Sequence, residues 1–158
     1  MVDTIQLPRE FKEFIALLNA EKVDYLLIGG WALALHGHPR YTGDMEIWIR
    51  PTLENAEAMI RVLRRFGFSS KKFDPEAFIK EENIFRFGFP PMQVDIINTI
   101  PGVDFAACYE NRLIVEAENI SVNVIGYEDF KKNKIASGRP KDLVDADSVT
   151  RKKQTHRG

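Results

Sequence analysis

Three acidic residues stand in apolar company in this sequence. Asp44 and Glu46 lie in Gly43-Asp44-Met45-Glu46-Ile47-Trp48-Ile49, and Asp95 lies in Gln93-Val94-Asp95-Ile96-Ile97. Side chains two apart on a strand share a face, so Asp44 and Glu46 place two carboxylates side by side. Such a pair repels unless water or a cation relieves it, and carboxylate oxygens are hard ligands suited to Mg²⁺ or Mn²⁺. A polar strand end meeting solvent accounts for the pair equally well. Asp95 inside an apolar strand needs a partner or a metal; a salt-bridged core acid satisfies that need as well as a ligand does. If the two strands are neighbours, the three carboxylates converge. Three acids on adjacent strands can hold two divalent ions that clamp the attacking and leaving oxygens of an in-line displacement. Phosphoryl and nucleotidyl transfer ask mainly for positioning and charge neutralisation.

A second feature precedes the acids. The short apolar run Tyr25-Leu26-Leu27-Ile28 ends in Gly29-Gly30, and Trp31-Ala32-Leu33-Ala34-Leu35-His36-Gly37 reads as a helix. The first amides of a helix lack internal partners and carry the positive end of its dipole. Glycines there let an anion reach the backbone, and phosphate is the natural ligand. A tight turn beneath a packed helix uses the same residues. No G-x-G-x-x-G is present, and no Lys-Ser/Thr follows as a P-loop requires.

The elements that must position these groups can be read from periodicity and punctuation. Residues 8–21 carry apolar side chains at helical spacing, with Pro8 suited to the first turn. Tyr25 to Ile28 has no polar alternation, which suits a strand buried on both faces. Met45 to Arg50 alternates between Gly43 and Pro51 and reads as a strand. Thr52 is a candidate N-cap for a helix over residues 53–66, with Gly67 as its stop. Ile84 to Phe89 and Met92 to Ile97 form a hairpin pattern. Residues 101–110 hold a turn and one helical turn. Residues 111–117 and 120–125 form a second hairpin, turning at Glu118-Asn119. Residues 127–137 are helical and end at Gly138, and a last helix starts near Pro140. The fold class expected is α+β, a mixed α/β sandwich with a central mixed sheet flanked by helices.

The bulk numbers narrow the classes. With 158 residues, the chain suggests one domain, taken as residues 1–150, followed by a basic tail at 151–158 expected to be disordered. A 44% hydrophobic and 28% charged composition is that of an ordinary globular protein. A net charge of -1 supplies no global attraction to nucleic acid or to an anionic membrane. The single Cys108 cannot pair internally, which fits a reducing compartment. No apolar run reaches the length of a membrane span, and the first residues do not read as a signal peptide, so the expected location is the cytoplasm. His36 and His38 flank a turn and suggest a loop role. Trp31 and Trp48 suit the core, and Cys108 suits an inert thiol.

Taken together, the order is apolar strand, Gly29-Gly30, 13 intervening residues, Asp44-x-Glu46, and a later Asp95 in an apolar strand. This resembles the DNA polymerase β-type nucleotidyltransferase superfamily, whose pattern is a hydrophobic residue, Gly-Gly or Gly-Ser, a spacer of about a dozen residues, paired acids and a later acid. The stretches GGWALALHGHPRYTGDMEIWI, FPPMQVDIIN, PGVDFAACYENR and KIASGRPKDLVDADSV are similar to the small bacterial and archaeal members that include minimal nucleotidyltransferase antitoxins and abortive-infection toxins. The resemblance spans roughly residues 20–147. It departs from those relatives at the second acid, which is usually Asp and is Glu46 here.

The resemblance implies a Mg²⁺-dependent enzyme that moves NMP from an NTP onto a hydroxyl. It implies Asp44, Glu46 and Asp95 as metal ligands and catalytic residues, with Asp95 activating the acceptor hydroxyl. Gly29 and Gly30 would hold the β- and γ-phosphates. Arg40 and Thr42 lie on the approach to the acids, and Lys134 and Lys141 lie where relatives place residues facing the nucleotide. Plain turn contacts and a solvated basic face are the alternatives for these four. The acceptor would be a partner toxin protein, for an antitoxin, or RNA such as a tRNA 3′ end, for a toxin. Near-neutral charge favours the protein acceptor, since tRNA binding usually needs a basic face. A different class is a catalytically weak module that neutralises a toxin by occlusion; a nucleotide-binding regulator is a third. Base preference and oligomeric state are not encoded in any motif.

Overall fold

A computed structural model of the chain describes residues 7–38, 43–69, 73–80 and 84–138. Along them run α1 (Arg9–Ala20), β1 (Tyr25–Ile28), α2 (Gly29–Leu35), β2 (Met45–Ile49), α3 (Leu53–Phe66), a 3-10 turn (Pro75–Phe78), β3 (Ile84–Phe89), β4 (Met92–Ile97), α4 (Phe105–Glu110), β5 (Leu113–Ala117), β6 (Ile120–Val124) and α5 (Tyr127–Ser137). The strands form one mixed sheet in the order β3-β4-β2-β1-β6-β5. The pairs β1/β2, β3/β4 and β5/β6 are antiparallel, while β2/β4 and β1/β6 are parallel. The parallel β2/β4 join matters most for the site, because it sets Asp95 beside the strand of the paired acids.

Strand register sorts the side chains into two faces. Leu27, Ile47, Ile96 and Phe85 occupy one cross-strand row. On that face Phe85 meets Phe78 of the 3-10 turn at 4.3 Å and Phe87 meets Phe68 at 5.3 Å. The helices α1 and α3 pack against each other through an edge-to-face contact of Phe14 and Phe66 at 5.3 Å. Their buried stripes are Phe11, Phe14, Ile15 and Leu18 on α1, and Ala56, Met59, Ile60 and Leu63 among others on α3. The next row, Ile28, Glu46, Asp95 and Arg86, points to the opposite face. Further along that opposite face Trp48 is buried against Phe105 of α4, with ring centroids 5.0 Å apart. Among the described residues the apolar core thus fills one face and the far end of the other, and the acidic row lies at the remaining end.

Local chemistry sets the element ends. Thr52 caps α3 by accepting from the Asn55 amide, and Gly67 ends it in the left-handed region at φ 112°. Asp104 caps α4 through the Ala107 amide. Glu118 and Asn119 both take positive φ (51° and 72°) at the β5–β6 turn, the conformation of a tight hairpin turn whose twist matches its strands. The β3–β4 turn carries a cis Pro90-Pro91 peptide bond. Several boundaries differ from the sequence expectation, most by a residue or two at strand and helix ends, and two of them bear on how the chain enters a helix. Pro8 is the N-cap of α1 rather than a residue of its first turn. The helix α2 starts at Gly29 rather than Trp31, because the chain leaves extended Ile28 and turns at Gly29 with φ 70°. The last helix expected from Pro140, and the tail, lie outside the described residues.

A buried asparagine ties the start of α3 to the strands. Asn55 Oδ1 accepts from the Asp24 amide at 2.8 Å, and its Nδ2 donates to the carbonyls of Asp24 and Arg50, both at 3.0 Å. Alanine there orphans the Asp24 N–H, while the Asp24 and Arg50 carbonyls keep the amides of Arg50 and Thr52; an unsatisfied buried group costs about 1–3 kcal/mol. Water can reach part of the site, so Asn55→Ala is expected to lose about 2 kcal/mol, read as a lower denaturant midpoint at unchanged slope. An unchanged midpoint contradicts this role.

Candidate active site

Asp44 is half-buried immediately before β2, Glu46 is half-buried within it, and Asp95 is buried in β4. Register places Glu46 beside Asp95, and Asp95 beside Arg86 of β3. Gln93, two residues before Asp95 and therefore on the same face, donates from Nε2 to Asp44 Oδ2 at 2.9 Å and to Asp95 Oδ1 at 3.4 Å. Two carboxylates thus converge on one nitrogen. Arg86 grips Asp95 from the other side: Nε donates to Oδ1 at 3.0 Å and a terminal nitrogen to Oδ2 at 3.3 Å. The Arg86 side chain is 62% exposed, whereas that of Asp95 is 9% exposed. Hydrogen bonding to Asp95 and its charge push the guanidinium above its ordinary pKa, with desolvation opposing and the charges of Asp44 and Glu46 adding to the rise.

Glu46 is turned toward the glycine doublet. A Cβ built on Gly29 would collide with Glu46 Oε2 and come within 2.8 Å of its Cδ. Gly29 also has φ 70°, where side chains are disfavoured. The first glycine is therefore required by backbone conformation and by a carboxylate lying against it. Gly30 is the second residue of α2 and is half-buried.

The donors are all hard oxygens, and the convergence of Asp44 and Asp95 on the Gln93 amide marks a point where positive charge is welcome. In donor chemistry the residues suit a divalent ion. Among the described residues no three acidic, His or Cys side chains form a ready-made cage: Glu46 lies against Gly29, and Asp95 is held by Arg86. The fit rests on Asp44 and Asp95 as the converging pair, with Glu46 beside them in register.

Of the other residues singled out, Lys134 lies on α5 with its ammonium 5.4 Å from the Phe130 ring centroid. Arg40, Thr42 and Lys141 lie outside the described residues. Two residues beside the acids, Gln93 and Arg86, were not picked out from the sequence. Both were readable there: Gln93 by strand period from Asp95, and Arg86 by folding the 84–89 and 92–97 runs about their turn.

His36 is not a loop residue but a buried one at the end of α2. Its Nε2 lies 2.6 Å from the Ile125 carbonyl, to which it donates as the neutral imidazole, and its ring is 4.2 Å from that of Tyr127. Burial lowers its pKa below the ordinary 6.5, against the hydrogen bond to Ile125, with His38 adding to the fall. The unfolded chain then binds a proton that the folded chain refuses. Stability from this group is intact above about pH 6.5 and declines as pH falls below it. The melting temperature is expected to drop between pH 7 and pH 5, and His36→Gln to flatten that drop; an equal drop in the variant contradicts the assignment. Cys108 is buried, and burial, then the charge of Asp129, push its thiol up to about 12, so at neutral pH it carries no thiolate.

No family model matches the chain, and no curated protein matches it in sequence. Solved structures do match in shape. A Thermotoga maritima protein assigned as a nucleotidyltransferase superposes with a TM-score of 0.61 at 20% identity, covering 96% of this chain and 97% of that one. The lincosamide antibiotic adenylyltransferase LnuA, in a structure with lincomycin bound, superposes with a TM-score of 0.53 at 18% identity, covering 94% of this chain and 98% of that one. The chain has a nucleotidyltransferase-type fold. Among the described residues no helix is long and apolar enough to cross a membrane.

Proposed function

We propose that the chain transfers a nucleoside monophosphate from an NTP to an acceptor hydroxyl, using Asp44, Glu46 and Asp95. The observation that carries this reading is the convergence of Asp44 and Asp95 on Gln93, with Glu46 in register beside Asp95, on a fold shared with nucleotidyltransferases. Asp44 and Asp95, joined by Glu46, would hold Mg²⁺ or Mn²⁺, which when bound neutralises the triphosphate charge. Asp95 accepts the proton of the acceptor hydroxyl, whose oxygen attacks the α-phosphorus. The bond to the bridging oxygen breaks, and pyrophosphate leaves. Gly29 and Gly30 face the β- and γ-phosphates, aided by Arg40, Thr42, Lys134 and Lys141, whose fixed positive charges or donors suit phosphate oxygens.

The acceptor is the open variable. Near-neutral charge favours a hydroxyl on a protein, such as a toxin partner of an antitoxin, over tRNA. The adenylyltransferase of similar fold adds a small-molecule hydroxyl to the classes worth testing. A second reading, a partner-binding module that acts by occlusion, draws support from Glu46 lying against Gly29 and from the Arg86 grip on Asp95. Calorimetric titration with ATP, GTP, CTP and UTP, with and without Mg²⁺, separates the two. The enzyme reading predicts metal-dependent binding of at least one nucleotide; folded protein that binds none supports the module.

A further inference from the structure

The fork between Arg86 and Asp95 joins an exposed cation to a buried acid at the centre of the candidate site. We propose that Arg86 is the resident counter-ion of this site, neutralising Asp95 until a divalent cation displaces it. The inference rests on the nucleotidyltransferase reading of the same carboxylates and assigns a residue that reading leaves out.

Three observations carry it. First, both oxygens of Asp95 are engaged by the guanidinium, and Oδ1 is also approached by Gln93. A cation ligated by Asp95 must compete with that fork for the same lone pairs. Second, three carboxylates on one end of a sheet repel, and strand register sets Arg86 beside Asp95 and Asp95 beside Glu46, so the guanidinium stands in the same cross-strand row as two of them. Third, Arg86 sits on β3, the edge strand of the sheet, with its side chain 62% exposed. It can swing into solvent without opening the core, whereas Asp95 and Gln93 are buried and fixed. An exposed cation beside a buried anion is the arrangement an exchangeable counter-ion needs. Once released, the guanidinium remains within reach of the site's mouth, where its planar donors suit phosphate oxygens.

The test is Mn²⁺ binding without nucleotide, followed by the electron paramagnetic resonance of free Mn²⁺. Arg86→Gln removes the charge and keeps a donor, and is expected to bind Mn²⁺ about tenfold tighter than wild type, as loss of a contacting like charge implies. Arg86→Lys keeps the charge and is expected to stay within about threefold of wild type. In an Asp95→Asn background the gain from Arg86→Gln should vanish, because the contested carboxylate is gone. Equal or weaker binding by Arg86→Gln overturns the counter-ion role while leaving the enzyme reading in place. If neither wild type nor Arg86→Gln binds Mn²⁺, the counter-ion role falls, and the enzyme reading is decided by the metal-dependent nucleotide titration.

Discussion

Asp44→Asn is expected to lower nucleotidyl transfer by about 10²–10³-fold or more, the usual cost of removing a group that stabilises transition-state charge. Asparagine keeps the size of the side chain and can still accept from Gln93, so folding should persist and the loss should fall on turnover. Asp95→Asn should show a loss at least as large, since it removes both the proposed ligand and the proposed proton acceptor. It also strips Arg86 of its partner, which costs little because the guanidinium is exposed. Steady-state rates with saturating NTP and Mg²⁺, beside thermal melts of each variant, check this. Retention of more than a tenth of wild-type turnover by Asp44→Asn contradicts its placement in the site.

Gly29→Ala is expected to destabilise the fold at the edge of the candidate site. The residue has φ 70°, where a Cβ costs about 1–2 kcal/mol. The added methyl also collides with the Glu46 carboxylate, which ends a flexible side chain and can give way, so the collision adds about 1 kcal/mol, the low end of overpacking costs. Together they predict a loss of roughly 2–3 kcal/mol, or several degrees in melting temperature for a chain of this size. The two causes can be separated. Glu46→Asp withdraws the carboxylate by one methylene, so the double variant should recover the collision part and not the conformational part. Full additivity of the two substitutions contradicts the close approach of Glu46 to Gly29.

Much of this molecule is legible in its sequence where the signal is local. Thr52 and Gly67 bracket α3, and Gly138 closes α5, as capping chemistry requires. The runs at 84–89 and 92–97 are β3 and β4 to the residue. What was not legible depends on approach in space. No local signal in β2 or β4 encodes their parallel pairing, which lies across α3 and a hairpin; it was a condition, and the structure meets it. In the sequence Gly29 reads as room for an incoming anion, yet the carboxylate of Glu46 already lies against it. His36 looked like a turn residue because Gly37 follows, but burial under Tyr127 and Phe130 comes from α5, nearly a hundred residues away in sequence. Arg86 was written in the hairpin register, but a lone Arg in an aromatic strand carries no chemical signal until Asp95 stands opposite.

The measurement closest to the central claim is transfer from NTPs labelled, in parallel reactions, at the α- or the γ-phosphate, with Mg²⁺, in the presence of cellular RNA, candidate protein partners and hydroxyl-bearing small molecules. Label from the α-position should become covalently attached to one acceptor class, label from the γ-position should leave as pyrophosphate, and Asp44→Asn should abolish both. Folded wild-type protein that moves neither label, and releases no pyrophosphate with any NTP, contradicts nucleotidyl transfer by these carboxylates.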